Sequence, residues 1–264
     1  MHGDKKMDIL IFAGQSNMEG STGEKCAEPP VEGAFEYRYL TNELKELKNP
    51  VGENINGGVL TQSELGNGSL VPFFCKEYEK RTNNRVTAIH IAKGGSSIES
   101  WLPETERFKI ATTKVLNGIK KVQESFVVEK IYFIWLQGES DAIKRTGTDI
   151  YKKMLIKFKN ALKETVKIDK FAIIQQGYFS EFAGWVEGSK EEKRKHDEEI
   201  MEAFSLAEKE DKDFIILTKI CAKLSREQKW LNPKEHGPHF NNEAMAIIGE
   251  KAGNALAIYR NKNN

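Results

Sequence analysis

The stretch Ile9-Leu10-Ile11-Phe12-Ala13-Gly14-Gln15-Ser16-Asn17-Met18 decides how this chain is read. Five apolar residues bounded by a glycine predict a buried strand that ends in a tight turn. In open α/β sheets the turn after the carboxyl end of a strand is where chemistry is placed. Ser16 stands on that turn between two amide side chains, Gln15 and Asn17. Alone it would mean little, because most turn serines bond only local backbone. Two further runs change its meaning. Trp135-Leu136-Gln137-Gly138-Glu139-Ser140-Asp141 closes another apolar segment, and His236-Gly237-Pro238-His239-Phe240-Asn241 precedes a C-terminal helical pattern. A hydroxyl, an amide followed by carboxylates and a late histidine are the parts of a serine esterase.

Working outward, apolar runs at 8–13, 85–92, 130–136, 170–175 and 213–218 predict five buried parallel strands. Helical patterns at 70–81, 106–123, 149–166, 190–209 and 242–259 lie between or after them. Ser69 is the expected N-cap of the first, and Ser189 with Glu192 forms a capping box for the fourth. In the third, Ile150, Met154, Phe158 and Leu162 recur at a spacing of four as the expected inner stripe. The alternation predicts a doubly wound α/β sheet built as one domain over 1–264. Segments 22–68 and 177–188 break the rhythm, as binding loops, lids or disordered segments do, and the first, which follows the Ser16 turn directly, is expected to wall the site. The charge run 190–199 is expected to be a solvated helix face.

Composition narrows the function classes. Forty basic against 39 acidic residues leave a formal charge of +1, with no electrostatic footprint for nucleic acid or an anionic membrane. No apolar stretch approaches the roughly 20 residues needed to span a bilayer. Residues 1–6 are polar and lead straight into the first strand, so a cytoplasmic address is expected. Cys26, Cys75 and Cys221 are odd in number and far apart, matching neither a disulfide framework nor a zinc site. No metal or organic cofactor motif is present, and none is expected.

An acyl-transfer site needs a nucleophile, a base, a group that orients the base and donors for the oxyanion. Ser16 is the nucleophile candidate. His239 is the base candidate, since histidine takes up a proton near neutral pH, with His236 its competitor three residues away. His90 lies inside a predicted strand and His196 in the charged helix. Lys93-Gly94-Gly95-Ser96-Ser97 follows the second strand, where glycine lets a backbone N–H approach a ligand. Gln137 ends the third strand with a side-chain amide able to donate. Glu139 and Asp141 follow as candidate carboxylates.

These runs, Gly14-Gln15-Ser16-Asn17-Met18, Lys93-Gly94-Gly95-Ser96-Ser97-Ile98 with Trp101, and Gln137-Gly138-Glu139-Ser140-Asp141, resemble the SGNH hydrolase superfamily. Within it they resemble the sialate O-acetylesterase and acetylxylan esterase branch, carbohydrate esterase family six. The resemblance runs from Asp8 to about Ala257. It implies a three-layer α/β/α sandwich with a five-stranded parallel sheet and deacetylation of a carbohydrate ester through an acyl-enzyme, with a small acetylated sugar or glycan as partner. Ser16 matches the nucleophile and one oxyanion N–H, Gly95 the glycine donor, Gln137 the position of the superfamily's oxyanion Asn, and His239 the catalytic histidine. Gln15, Asn17 and Trp101 are the expected substrate-binding residues; Trp101 would stack on a sugar ring or else pack half-buried.

One position departs from the resemblance. The superfamily usually has an Asp three residues before the catalytic histidine, and this chain has His236. Glu139 is the expected substitute that orients His239, with Glu235 or Asp141 as alternatives and a Ser-His pair lacking any acid as the last. Two other function classes stand beside the acetylesterase: a non-catalytic carbohydrate-binding relative, and a short-chain lipase or thioesterase of the same superfamily.

Overall fold

A computed structural model describes residues 6–26, 28–62, 67–232 and 238–263 of the chain. Strand β1 (Lys6–Gly14) is the predicted apolar run, and its alternation builds both cores. Ile9, Ile11 and Ala13 enter one hydrophobic cluster, while Leu10 and Phe12 enter the other. Successive strand residues point to opposite faces, so a strand covered on both sides must be apolar throughout.

The sheet has seven strands among the described residues, not five. Two lie inside 22–68: β2 (Ala34–Arg38) and β3 (Glu43–Glu46) form an antiparallel pair. With β4 (Arg85–Ala92), β5 (Val127–Leu136), β6 (Lys170–Ile174) and β7 (Phe214–Thr218), the order is β3-β2-β4-β1-β5-β6-β7. Every pairing except β2 with β3 is parallel. The sequence Glu-Leu-Lys-Glu of β3 gives no apolar signal because this strand is an exposed edge, where charge discourages pairing with another chain.

Helices α1 (Ser16–Glu19), α2 (Val71–Thr82), α3 (Glu106–Gln123), α4 (Glu139–Ile143), α5 (Thr148–Thr165), α6 (Lys190–Glu210), α7 (Ile220–Leu224) and α8 (Asn242–Lys262) complete the fold. On one face, α2 and α8 supply Val71, Phe74, Tyr78, Met245, Ile248 and Leu256 to the core. On the other, α3, α5 and α6 supply Val115, Leu155, Phe158 and Phe204. The result is the three-layer α/β/α sandwich. Two local expectations change. Leu70, not Ser69, is the N-cap of α2, with Ser69 Oγ accepting from Val71 N–H. Ile150 is exposed, and Tyr151 takes its inward place on α5. A spacing of four overruns the 3.6-residue turn, so a stripe read that way rotates off the core within two steps.

Gly14 pairs in register with Ala92 on one side and Leu136 on the other. The three central strands therefore end level, and Gln15, Lys93 and Gln137 leave the sheet side by side. The strand order also reverses here, which opens the crevice where α/β sheets bind ligands. No helix among the described residues is long and apolar enough to cross a membrane.

Candidate active site

The Ser16 turn begins with a close approach of two backbones. Gln15 N–H donates to Leu136 O at 3.2 Å, and Gly14 has φ +150 with its Cα against that carbonyl. Ser16 opens α1, so its N–H belongs to the first turn, where helix donors have no internal acceptor. His239 arrives from the opposite end of the chain. Asn232 N–H donates to His239 O at 2.7 Å, Asn241 N–H donates to Trp230 O at 2.9 Å, and the Asn241 side chain caps α8. Phe240 N–H donates to Asn17 Oδ1 at 3.3 Å, which ties this loop to α1. Held this way, His239 Nε2 lies 2.8 Å from Ser16 Oγ. The nucleophile and base candidates, 223 residues apart, are in hydrogen-bond contact. His90 is buried with Nε2 on Met18 O, and burial pushes its imidazole down to about 4; His196 pairs with Glu199 on α6. His236, Gly237 and Glu235 lie outside the described residues.

Gly95 sits at the tip of the 93–97 loop with φ +68 and open space where a Cβ would point. Its N–H has no acceptor among the described residues, whereas Gly94 N–H donates to Glu19 Oε2. Gly94 also packs toward Ser16, since a Cβ on it would lie 3.7 Å from Ser16 Cβ. The loop therefore flanks the hydroxyl.

Three predicted site residues hold the framework instead. Gln137 is fully buried; its Nε2 donates to Asp141 Oδ2 at 2.6 Å and Ser96 O at 3.0 Å, and its Oε1 accepts from Tyr151 OH at 2.6 Å. Both amide hydrogens are spent on the protein, so Gln137 is not aimed at an oxyanion. Asp141 in turn accepts from Ile98 N–H at 2.8 Å and Thr146 Oγ1 at 3.1 Å, and burial raises its carboxyl above the ordinary range. Trp101 is also fully buried, packed edge-on to Trp135 with its Nε1 donating to Ser96 Oγ. It supports the glycine loop from beneath and offers no face to a sugar. Asn17 is a cross-brace: besides accepting from Phe240, its Nδ2 donates to Glu139 Oε1 at 2.8 Å. Gln15 Oε1 is fixed by Ser140 N–H at 3.1 Å, beside Gln137 Nε2 at 3.3 Å. Its own Nε2 has no acceptor among the described residues.

Glu139 does not orient His239. Its Oε1 is on Asn17, and its buried Oε2 has no hydrogen-bond partner among the described residues. Burial, with Asp197 and Asp141 nearby, pushes its carboxyl up to about 7 against the opposing pull of the Asn17 bond. A carboxyl lacking a cation or a full set of donors keeps its proton in a low-dielectric site. The native state thus binds this proton up to about pH 7, while the unfolded chain releases it near 4.5. Stability is lost as pH rises through that window. Glu139→Gln keeps the acceptor for Asn17 and removes the titration. Relative to the parent it should gain up to about 3 kcal/mol at pH 8 and almost nothing below pH 4.5. Its kcat should fall less than about tenfold, since it touches no reacting atom. Urea unfolding at both pH values checks the first claim; a pH-independent difference would contradict it.

The charge run 190–199 is not a uniformly solvated face. Lys193 and Asp197 are buried, one helical turn apart, in line with Ile200 and Phe204. Asp197 accepts from Ser180 N–H and Glu181 N–H, both at 3.0 Å, and Lys193 Nζ donates to Ala183 O at 3.1 Å and Val186 O at 3.3 Å. The 177–188 segment so anchored places Phe179 edge-on against His239, ring centroids 5.1 Å apart. The signal was available: continuing the apolar stripe of α6 toward its N-terminus lands on Asp197 and Lys193. Phe179 carried none, being one aromatic in an irregular loop.

The description "carbohydrate esterase, sialic acid-specific acetylesterase" belongs to the family that matches residues 6–257. A comparison with curated protein sequences finds no match. Among solved structures, a protein of Arabidopsis thaliana is similar at TM-score 0.69 and 16% identity, covering 99% of both chains. NanS is similar at TM-score 0.64 and 12% identity, covering 99% of this chain and all of its own. A carbohydrate acetylesterase from Xanthomonas citri has TM-score 0.55 and 18% identity, with 96% of this chain spanning 56% of that one. At these identities the structures speak for the fold, and the family match covers the whole sheet and both members of the Ser16–His239 pair. The chain belongs to the sialic acid-specific acetylesterase family of carbohydrate esterases.

Proposed function

We propose that this protein removes O-acetyl groups from a carbohydrate through an acetyl-Ser16 intermediate. The observation that carries the reading is the 2.8 Å contact between His239 Nε2 and Ser16 Oγ at the carboxyl edge of the sheet. For Nε2 to accept the hydroxyl proton, His239 carries its own proton on Nδ1. Ser16 Oγ attacks the acetyl carbonyl as Nε2 takes its proton. The resulting oxyanion is received by Ser16 N–H and Gly95 N–H, joined by the Gln15 Nε2 amide. Collapse releases the sugar oxygen, which leaves with the proton from His239. Water then repeats the sequence on acetyl-Ser16 and frees acetate.

The donors suit this role because they are fixed beforehand. Gly95 is carried on a loop held through Ser96, Ile98 and Gly94, and Gln15 Oε1 is held by Ser140 N–H. Preorganised donors lose no reorganisation energy when charge develops. A non-catalytic sugar binder would have no use for a serine hydroxyl held on an imidazole. The test is mass spectrometry of enzyme quenched during turnover of p-nitrophenyl acetate or 9-O-acetyl sialic acid. An acetyl group on the Ser16 peptide is expected, and an acetyl group on any other side chain would sink the reading.

A further inference from the structure

Four tryptophans stand in the chain, and one is presented to solvent. Trp101 and Trp135 are completely buried and Trp230 is half-buried, but Trp185 is 61% exposed. A single exposed apolar residue is unremarkable on most surfaces. The position of this one is different. Its ring meets Phe179 edge-on at 6.3 Å, and the Phe179 ring in turn meets the His239 ring edge-on at 5.1 Å. His239, Phe179 and Trp185 thus form an aromatic series leading outward from the base.

The segment carrying Trp185 is held from several sides. Asp197 receives the N–H groups of Ser180 and Glu181, and the buried Lys193 ammonium takes the carbonyls of Ala183 and Val186, which bracket Trp185. Arg194 grips the Glu181 carboxylate with two nitrogens, and Ser225 Oγ accepts from Tyr178 N–H. A fold that commits a buried Lys and a buried Asp to one short segment fixes its shape before any ligand arrives. Preorganisation lowers the entropy lost when a ligand is ordered against it. Trp brings a large rigid face with few rotatable bonds, well suited to such a platform.

Resting on the carbohydrate esterase reading above, we infer that Trp185 is the stacking platform for the sugar ring on the alcohol side of the scissile ester. The apolar C–H face of a pyranose lies on the indole, while its hydroxyls stay in water. Trp185 touches no reacting atom, so it acts on binding in ground and transition states alike and should appear in KM rather than kcat.

The test measures acetate release by pH-stat for the parent, Trp185→Ala and Trp185→Tyr. Two substrates are used: 9-O-acetyl sialic acid, and ethyl acetate, whose alcohol is too small to stack. In Trp185→Ala, KM for the sugar ester should rise about tenfold relative to KM for ethyl acetate, as lost ring contact and apolar burial would give. Trp185→Tyr, which keeps an aromatic face, should recover most of that ratio. An unchanged ratio in Trp185→Ala, with the parent active on the sugar ester, overturns the platform and leaves the esterase reading standing. An equal rise for both substrates also overturns it, because Trp185 would then be ordering the site itself. If the parent cleaves ethyl acetate but no sugar ester, the carbohydrate reading fails and the platform fails with it.

Discussion

Ser16→Ala lowers kcat by about 10,000-fold to 1,000,000-fold while the protein remains folded, the expected scale for removing a nucleophile from a coupled unit. Ser16 is 7% exposed and makes a side-chain contact with His239, so trimming its hydroxyl leaves no packing defect. His239→Ala should cost nearly as much, because a serine with no base is a poor nucleophile at neutral pH. The double variant should be hardly worse than either single one. Residues that act on the same proton are not additive. Rates with p-nitrophenyl acetate and unfolding curves for all three variants check this together. Losses that multiply in the double variant would mean that Ser16 and His239 work in separate steps, and the paired mechanism would be abandoned.

Gly14→Ala is expected to be the most damaging single-methyl change in the site. A Cβ at Gly14 would lie 1.9 Å from Leu136 O, far inside van der Waals contact, at a backbone φ of +150 that L side chains rarely adopt. The obstructing atom is backbone of β5, locked in the sheet by register, so no rotamer change relieves the overlap. Either β1 and β5 separate at their ends or the Ser16 turn is displaced. A loss above about 4 kcal/mol follows, lowering Tm by about 10 °C or more in a chain of this size. Gly184→Ala is the matched control, with nothing within 4 Å of its Cβ position. Circular dichroism melts of the two variants make the comparison, and a Gly14→Ala melt within about 3 °C of the parent would show that the central strands can part without penalty.

Much of this was legible from local chemistry. Residues 9–13 had to form a doubly covered strand because no amphipathic pattern lets such a run face water. Gly14 marked the turn, and Ser189 with Glu192 marked the start of α6, where the capping box is present in the structure. The Ser16 and His239 runs pointed to each other through chemical complementarity alone, and their contact follows. The edge strand β3 was not legible, since its pairing rests on backbone hydrogen bonds to β2 and three of its four side chains, Glu43, Lys45 and Glu46, are charged and exposed.

The division is sharpest among the polar residues of the motifs. The sequence suggested Gln137 for the oxyanion, Glu139 for His239, and Asn17 and Trp101 for the substrate, but each bonds protein groups instead. What it could not assign was direction. Whether an amide donates to a substrate or to Ser96 O and Asp141 depends on which groups the parallel register brings beside it. That register joins residues about 40 positions apart in one case and more than 120 in others. The same holds for Lys193 and Asp197, whose charges suggested solvent while their place on α6 turned them inward. Motif chemistry in this chain is local and was written in the residues; the aim of each side chain is set by contacts between distant strands and loops, and only the tertiary structure decided it.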